Sequence, residues 1–440
     1  MPVPDARGRG GVTSHYTLVG GRVVDPASGF DDYANVVVRG DHVAEVGLGS
    51  SGMRIDVDGL IVAPGLVDLH CHLREPGRED AETIASGTAA AAAGGFTAVC
   101  AMANTDPVCD HAGVVEQVRR LAKVAGHCDV YPVGAITRGL AGHELAELGA
   151  MATIGVRCFS DDGMPVRSAQ VMRRALMYAL TWDAIICNHA EEASLTEHAQ
   201  MNESALSSVL GLAGWPREAE EIQVARDLIL AHGLGARLHV PHVSTRGTVD
   251  LIRAAKVRGA RVTAEACPHH FTLSEDEVAS FDPVFKVNPP LRSAADVEAI
   301  RRGLADGTID AIATDHAPHS PETKEREWAY APCGMLGLET ALALTLTELV
   351  KPGVLTLTQA VAALTAKPAR SRDITGHGGP IAPGTHANLV AFDPDASWTV
   401  DPSAVRSRSR NTPYAGLQVL GRVVHTILRG RFTCRDGQVV

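Results

Sequence analysis

The chain has 440 residues, 45% of them hydrophobic, with Lys and Arg totalling 40 against 51 Asp and Glu, for a formal net charge of -11. That length suits a large barrel with a satellite domain, and a mean hydropathy of +0.03 speaks against extensive disorder. The acidic balance has no concentrated Lys/Arg run to reverse it, which argues against a nucleic-acid partner, and no apolar stretch approaches the roughly 20 residues that a membrane span needs.

Residues 1–14 are rich in Gly, Pro and Arg, without an apolar signal core, and read as a flexible leader. From 15 to 65 short β-rich runs such as YTLVGGRVVD and ANVVVRGDHVAEVG are broken by turn residues. The same texture returns over 375–440, in ANLVAFDPD and VVHTILRGRFTCRDGQVV. Alternating apolar and polar residues with Gly and Asp turns predict antiparallel strands, so both ends are expected to build one small β-sandwich. Between them, over 66–374, apolar β-branched runs alternate with Ala/Leu/Glu-rich helical stretches. Eight strand candidates follow in order: LVDLHCH, TAVCAMAN, DVYPVGAIT, VRCFSDD, AIICNHAE, RLHVPHV, RVTAEACPHH and DAIATDHAPH. Eight strand–helix units predict an α/β fold of the (β/α)8 barrel type. An open doubly wound sheet is less attractive, because no Gly-rich phosphate turn follows any of the strands. The nine cysteines are scattered without a CxxC pair, an odd number that fits a reducing, cytoplasmic compartment.

Chemistry-bearing residues gather at the C-terminal ends of these candidates: His70, His72, Asn104, Asp162, His189, His242 and Asp315. In a barrel those ends share one face, where the active site is expected. His70 and His72 are two residues apart on a strand and therefore on the same face, with Cys71 turned the other way. Alone, an HxH pair is as compatible with two hydrogen-bonded histidines as with a metal site. His189 and His242 could each be a satisfied polar group, Asp315 an N-cap or turn residue, and Asp161-Asp162 ordinary turn chemistry. Four histidines and two aspartates on five separate strand ends make those separate explanations poor, and together they point to a divalent metal site. Asp315 has the chemistry of a general acid/base as well as of a ligand.

Beyond these residues, DLHCHLREPG, NTDPV, FSDDG, NHAE, VPHVST, PHHF, KVNPPLR and TDHAPH stand in the order found in dihydroorotases. From about residue 15 to 440 the chain resembles the bacterial class I branch of that family, within the amidohydrolase superfamily. The resemblance implies two zinc ions per subunit: one held by His70, His72 and Asp315, the second by His189 and His242, with Asp162 bridging. The corresponding bridge in hydantoinases and allantoinases is a carboxylated lysine, and VRCFSDDG has none. The implied reaction is the reversible cyclisation of N-carbamoyl-L-aspartate to L-dihydroorotate in pyrimidine biosynthesis, with Asp315 carrying the proton.

Arg74 and Asn104 match residues that grip the substrate α-carboxylate, and Asn288 and His319 match other substrate contacts. The backbone of Cys333 and Gly334 matches a last contacting segment, where many members carry a bulkier aromatic before the Gly. Read without the family, Arg74 could pair with Glu75 or Glu79, Asn104 could be a turn residue, Asn288 is equally open, and His319 could belong to a loop without function. Arg74 should share the face of His72 if the extended conformation persists. His269 and His270 are expected to be second-layer or structural residues at a strand end. A hydantoinase- or allantoinase-type cyclic amidase is the alternative activity. A homodimer and a complex with aspartate transcarbamoylase are the partners the resemblance suggests. A catalytically dead scaffold is disfavoured by the complete ligand set.

Overall fold

The computed structural model describes residues 14–440. The leader expected over 1–14 therefore lies outside the described residues, apart from Ser14. The barrel strands are β1 (Leu66–Cys71), β2 (Phe96–Ala101), β3 (Asp129–Pro132) and β4 (Cys158–Phe159). They continue as β5 (Ile185–Cys187), β6 (Arg237–Val240), β7 (Val262–Ala266) and β8 (Ala311–Ile312). All eight expected strands are present.

Two parallel ladders carry them, β1 to β3 and β4 to β8. Two parallel bridges, Gly134 with Phe159 and Cys71 with His316, join the ladders and close the ring. Ser160 N donates to Gly134 O at 2.8 Å at one seam, and His72 N donates to His316 O at 2.8 Å at the other. Every residue of β1 and of β2 is buried, as expected for parallel strands covered on both faces.

Helices between the strands form the outer layer. Thr245 caps Arg246–Val257 by accepting from Thr248 N, and Ser293 caps Ala294–Ala305 by accepting from Asp296 N. Each such cap contributes about 1 kcal/mol. Among the described residues no helix is long and apolar enough to cross a membrane.

The chain ends meet as anticipated. One sheet runs, in spatial order, Gln438–Val439, Arg431–Arg435, Gln418–Leu428, Leu389–Thr399, Ile61–Pro64, Arg22–Asp25 and Phe30–Tyr33, mixing strands from both termini. A second sheet holds His42–Gly47, Asn35–Arg39, His15–Val19 and Met53–Asp56. Leu18, Val36 and Val38 of one sheet share an apolar core with Val62, Leu389 and Ile427 of the other. This β-sandwich leaves the C-terminal mouth of the barrel to the loops that follow the strands.

Candidate metal centre

Strand geometry delivers the six expected ligands to one place. His70 lies in β1, and His72 just after it. Asp162, His189, His242 and Asp315 lie two or three residues beyond the ends of β4, β5, β6 and β8. All six are at most 6% exposed. His242 and Asp315 hold φ of 30° and 46°, a left-handed conformation that costs a non-glycine residue about 1–3 kcal/mol and collects at functional sites.

Asp162 stands at the middle of the cluster. Its Oδ1 is 3.3 Å from His70 Nε2, 3.4 Å from His242 Nε2 and 3.8 Å from His189 Nδ1. Its Oδ2 is 3.4 Å from His72 Nε2. Asp315 Oδ1 lies 3.2 Å from His72 Nε2 and 3.5 Å from His70 Nε2. Two ligand triads result, His70–His72–Asp162 and Asp162–His189–His242, sharing the one carboxylate. Ligands at 2.0–2.2 Å around a tetrahedral ion stand about 3.3–3.6 Å apart, which these separations match.

The hydrogen bonds on the far side of each ring support the same reading. His70 Nδ1 donates to Glu265 Oε1 at 2.8 Å, and His72 Nδ1 donates to Asn104 Oδ1 at 2.8 Å. His189 Nε2 donates to Glu191 Oε2 at 3.2 Å. Each of these imidazoles thereby turns its other ring nitrogen toward Asp162 or Asp315, the arrangement that orients metal-binding histidines. His70 Nε2 and Asp162 Oδ1 are buried without a hydrogen-bond partner, and His189 Nδ1 stands 3.0 Å from His242 Nε2. Buried polar atoms of this kind call for a partner.

The electrostatics agree. Burial pushes the carboxyl groups of Asp162 and Asp315 upward, but the histidines outweigh it and hold both below the ordinary carboxylate value. Burial likewise works against charge on His189, yet Asp162 and Glu191 raise it to about 10. His70 is raised well above the ordinary value by Asp162 and Asp315 against its own burial. The centre is a pocket of negative potential that favours bound positive charge, and the donor set fits divalent cations.

Sequence reasoning missed Glu265. It is fully buried in β7, accepts from His239 Nε2 at 2.9 Å as well as from His70, and is held well below its ordinary value by those two histidines against burial. A lone carboxylate inside the run VTAEA was the available signal, since buried acids are rare unless paired. Glu265→Gln is expected to weaken metal affinity by about 10–100-fold, the usual cost of losing such an orienting partner. Competition with a chromogenic chelator measures it, and an affinity within twofold of the parent would remove Glu265 from this role.

The candidate substrate residues are placed less uniformly. Arg74 does not continue the strand: β1 ends at Cys71, and Arg74 has φ of 61°. The turn, rather than the extended alternation expected, carries its side chain inward. The guanidinium Nε donates to Pro318 O at 3.1 Å, and Nη2 lies 3.5 Å from His319 Nε2. Neither Glu75 nor Glu79 pairs with it; Glu75 instead accepts from Ile84 N, and Glu79 from Gly77 N.

His319 Nε2 donates to Cys333 O at 2.8 Å, so the Cys333 backbone, not its thiol, meets the cluster. Gly334 has φ of 134°, and a Cβ there would fall 2.8 Å from His319 Nε2 and 2.8 Å from Ala317 Cβ. Only glycine fits that approach. Asn104 spends its amide on His72 and, through Nδ2 at 3.4 Å, on the Asp162 carbonyl. Asn288 Nδ2 donates to Glu191 Oε2 at 2.9 Å. His269 and His270 sit in a one-turn helix, Pro268–Thr272, started by proline, rather than at a strand end.

A closed (β/α)8 barrel with paired His/Asp triads at its C-terminal mouth defines a hydrolase of the amidohydrolase type. A family profile described as dihydro-orotase-like matches residues 59–248. A dihydroorotase of Streptomyces coelicolor is 52% identical over 92% of this chain and 96% of its own length. One from Syntrophotalea carbinolica is 51% identical over 95% of this chain and 98% of its own. Among solved structures, the L-hydantoinase (dihydropyrimidinase) from Arthrobacter aurescens superposes with a TM-score of 0.87 at 27% identity, covering 96% of this chain and 97% of that one. The chain belongs to the dihydroorotase family.

Proposed function

We propose that the protein interconverts N-carbamoyl-L-aspartate and L-dihydroorotate, opening or closing one ring amide with gain or loss of water. The observation that carries the proposal is the single buried Asp162 carboxylate shared by two histidine pairs, with Asp315 against one of them. We assign His70, His72 and Asp315 to one zinc ion, His189 and His242 to a second, and Asp162 to both. Bound there, the ions supply Lewis acidity toward an amide carbonyl and lower the pKa of water from about 15.7 to about 7.

The protein groups have separable tasks. Asp315 is ionised at neutral pH, because His70 and His72 hold its carboxyl down against burial. It accepts the proton of the attacking water and delivers it to the departing ring nitrogen. In the direction of ring closure it takes the proton from the ureido nitrogen. Arg74 has only one hydrogen bond from its guanidinium to a carbonyl, so its Nη atoms can grip the α-carboxylate as a charged fork. Burial and the neighbouring Arg74 push His319 down to about 2, so the ring is neutral. With Nε2 donating to Cys333 O, its buried Nδ1 is left an acceptor without a partner, suited to a substrate N–H. Asn104 and Asn288 hold ligand rings and Glu191 in place, and we place the substrate against their remaining polar atoms.

The same barrel in a hydantoinase shows that fold alone does not choose the ring. What favours dihydroorotate is the identity of about one half to dihydroorotases across nearly the whole chain, together with Arg74. The test is a substrate panel: purified, zinc-supplemented protein with L-dihydroorotate, hydantoin and allantoin, followed by ultraviolet absorbance. Turnover of dihydroorotate at least 100 times faster than of the other two is the expected result. Preference for hydantoin or allantoin would overturn the assignment.

The nine cysteines are all free thiols, eight of them buried, which supports a reducing cytoplasmic compartment. A homodimer and an association with aspartate transcarbamoylase complete the proposal, on the family resemblance alone.

A further inference from the structure

The loop into β4 and the segment after the last barrel helix, Ala366–Ser371, border a cavity of about 250 Å³ whose lining contains none of the six candidate metal ligands. Three arginines line it, Arg119, Arg157 and Arg372. Arg372 is 3% exposed and has no carboxylate within hydrogen-bond distance. Its Nη1 donates to Cys158 Sγ at 3.0 Å and its Nη2 to Cys187 Sγ at 3.5 Å, while Glu265 Oε2 stands off at 4.0 Å. The buried Nε has no partner at all.

Burying a guanidinium is expensive unless a counter-charge meets it with good geometry. Glu265 is already committed to His70 and His239. The one acid on the cavity wall, Asp373, is taken by Arg237. Arg119 and Arg157 add two more guanidiniums, each hydrogen-bonded only to backbone carbonyls: Arg119 to Ile154 O, Arg157 to Ala152 O and Val156 O. Positive charge is thus gathered around a partly open pocket in a protein of net charge -11.

We propose that this cavity is a binding site for a small free oxyanion of the phosphate type. Guanidinium groups match such anions through forked, charge-assisted hydrogen bonds. The volume is below the roughly 300 Å³ at which sites for drug-sized ligands begin, and it suits free phosphate better than a nucleotide. Because the lining shares no residue with the candidate metal ligands or substrate contacts, phosphate bound there should not compete with substrate.

Calorimetric titration of the zinc-loaded protein with inorganic phosphate, repeated in saturating L-dihydroorotate, tests the proposal. One phosphate per chain is expected, bound equally well with the substrate present. The double variant Arg119→Gln, Arg157→Gln should bind phosphate at least tenfold more weakly with turnover unchanged, and the corresponding double lysine variant should restore binding. These two residues lie at the rim, so the test does not depend on removing buried Arg372. Absence of binding would overturn the proposal, as would binding displaced by L-dihydroorotate, which would place the phosphate at the metal centre. Tighter binding of a nucleoside monophosphate than of phosphate would overturn the free-oxyanion form.

Discussion

Asp315→Asn should lower the rate of dihydroorotate ring opening by about 10²–10⁴-fold, the range associated with losing a positioned general acid/base. The carboxylate is 3.2 Å from His72 Nε2 and held ionised by its two histidine neighbours, so in the parent it is a proton acceptor at every pH near neutrality. Asparagine keeps an oxygen at the same place and removes the proton-carrying function. kcat and kcat/KM should therefore fall together, as expected when an interaction made only in the transition state is lost. Activity is to be compared at saturating zinc, with metal content read by elemental analysis, so that lost proton transfer is separated from lost metal. A variant that retains activity within tenfold would take the proton from Asp315 and assign it elsewhere.

Asp162→Ala should have the other large effect, on the metal centre itself. One oxygen of Asp162 faces His70, His189 and His242, and the other faces His72. Its removal leaves one proposed site with His70, His72 and Asp315 and the other with only two histidines, so both are weakened by one substitution. The loss of metal affinity should exceed about 100-fold, the upper end of what even orienting partners of metal ligands contribute. Parent protein should gain thermal stability on addition of zinc, because a ligand bound only by the folded state stabilises it by mass action. The variant should lose most of that gain and bind fewer than two ions per chain. Two ions held at parental affinity would show that Asp162 is not shared between them.

The fold was legible because parallel barrel strands leave a strong imprint. Most of the expected strands are buried apolar runs, and five of them end in a candidate ligand. Regular pairing is nonetheless short in β4 and β8, two residues each, and the ring is closed there by bridges from Gly134 and His316 that have no sequence signature. The candidate ligands were legible because chemistry forces them to strand ends; of their hydrogen-bond partners only Asn104 was, because any polar residue can serve. Glu265 was hidden within its strand, and nothing in NHAEE singles out Glu191 from Glu192 beside it.

Arg74 shows a different limit: the extended alternation expected to carry it to the face of His72 does not hold, because the strand ends at Cys71 and Arg74 has a positive φ. Asn411, far along the chain in the stretch between two sandwich strands, was invisible for want of any periodic pattern. Its Oδ1 accepts from His319 N at 3.2 Å, and its Nδ2 donates to Ala317 O at 3.0 Å and Gly334 O at 3.2 Å, so it ties together the segments that carry His319 and Gly334, two of the proposed substrate contacts.

The central claim is that the His/Asp cluster is a two-metal centre that serves dihydroorotate chemistry. It is tested most directly by stripping the protein with a chelator and restoring zinc stepwise while L-dihydroorotate absorbance and bound metal are followed together. No turnover is expected in the stripped protein, with activity rising as zinc binds to a plateau at two equivalents per chain. Full turnover without metal, or two equivalents bound with no turnover of dihydroorotate, would contradict it.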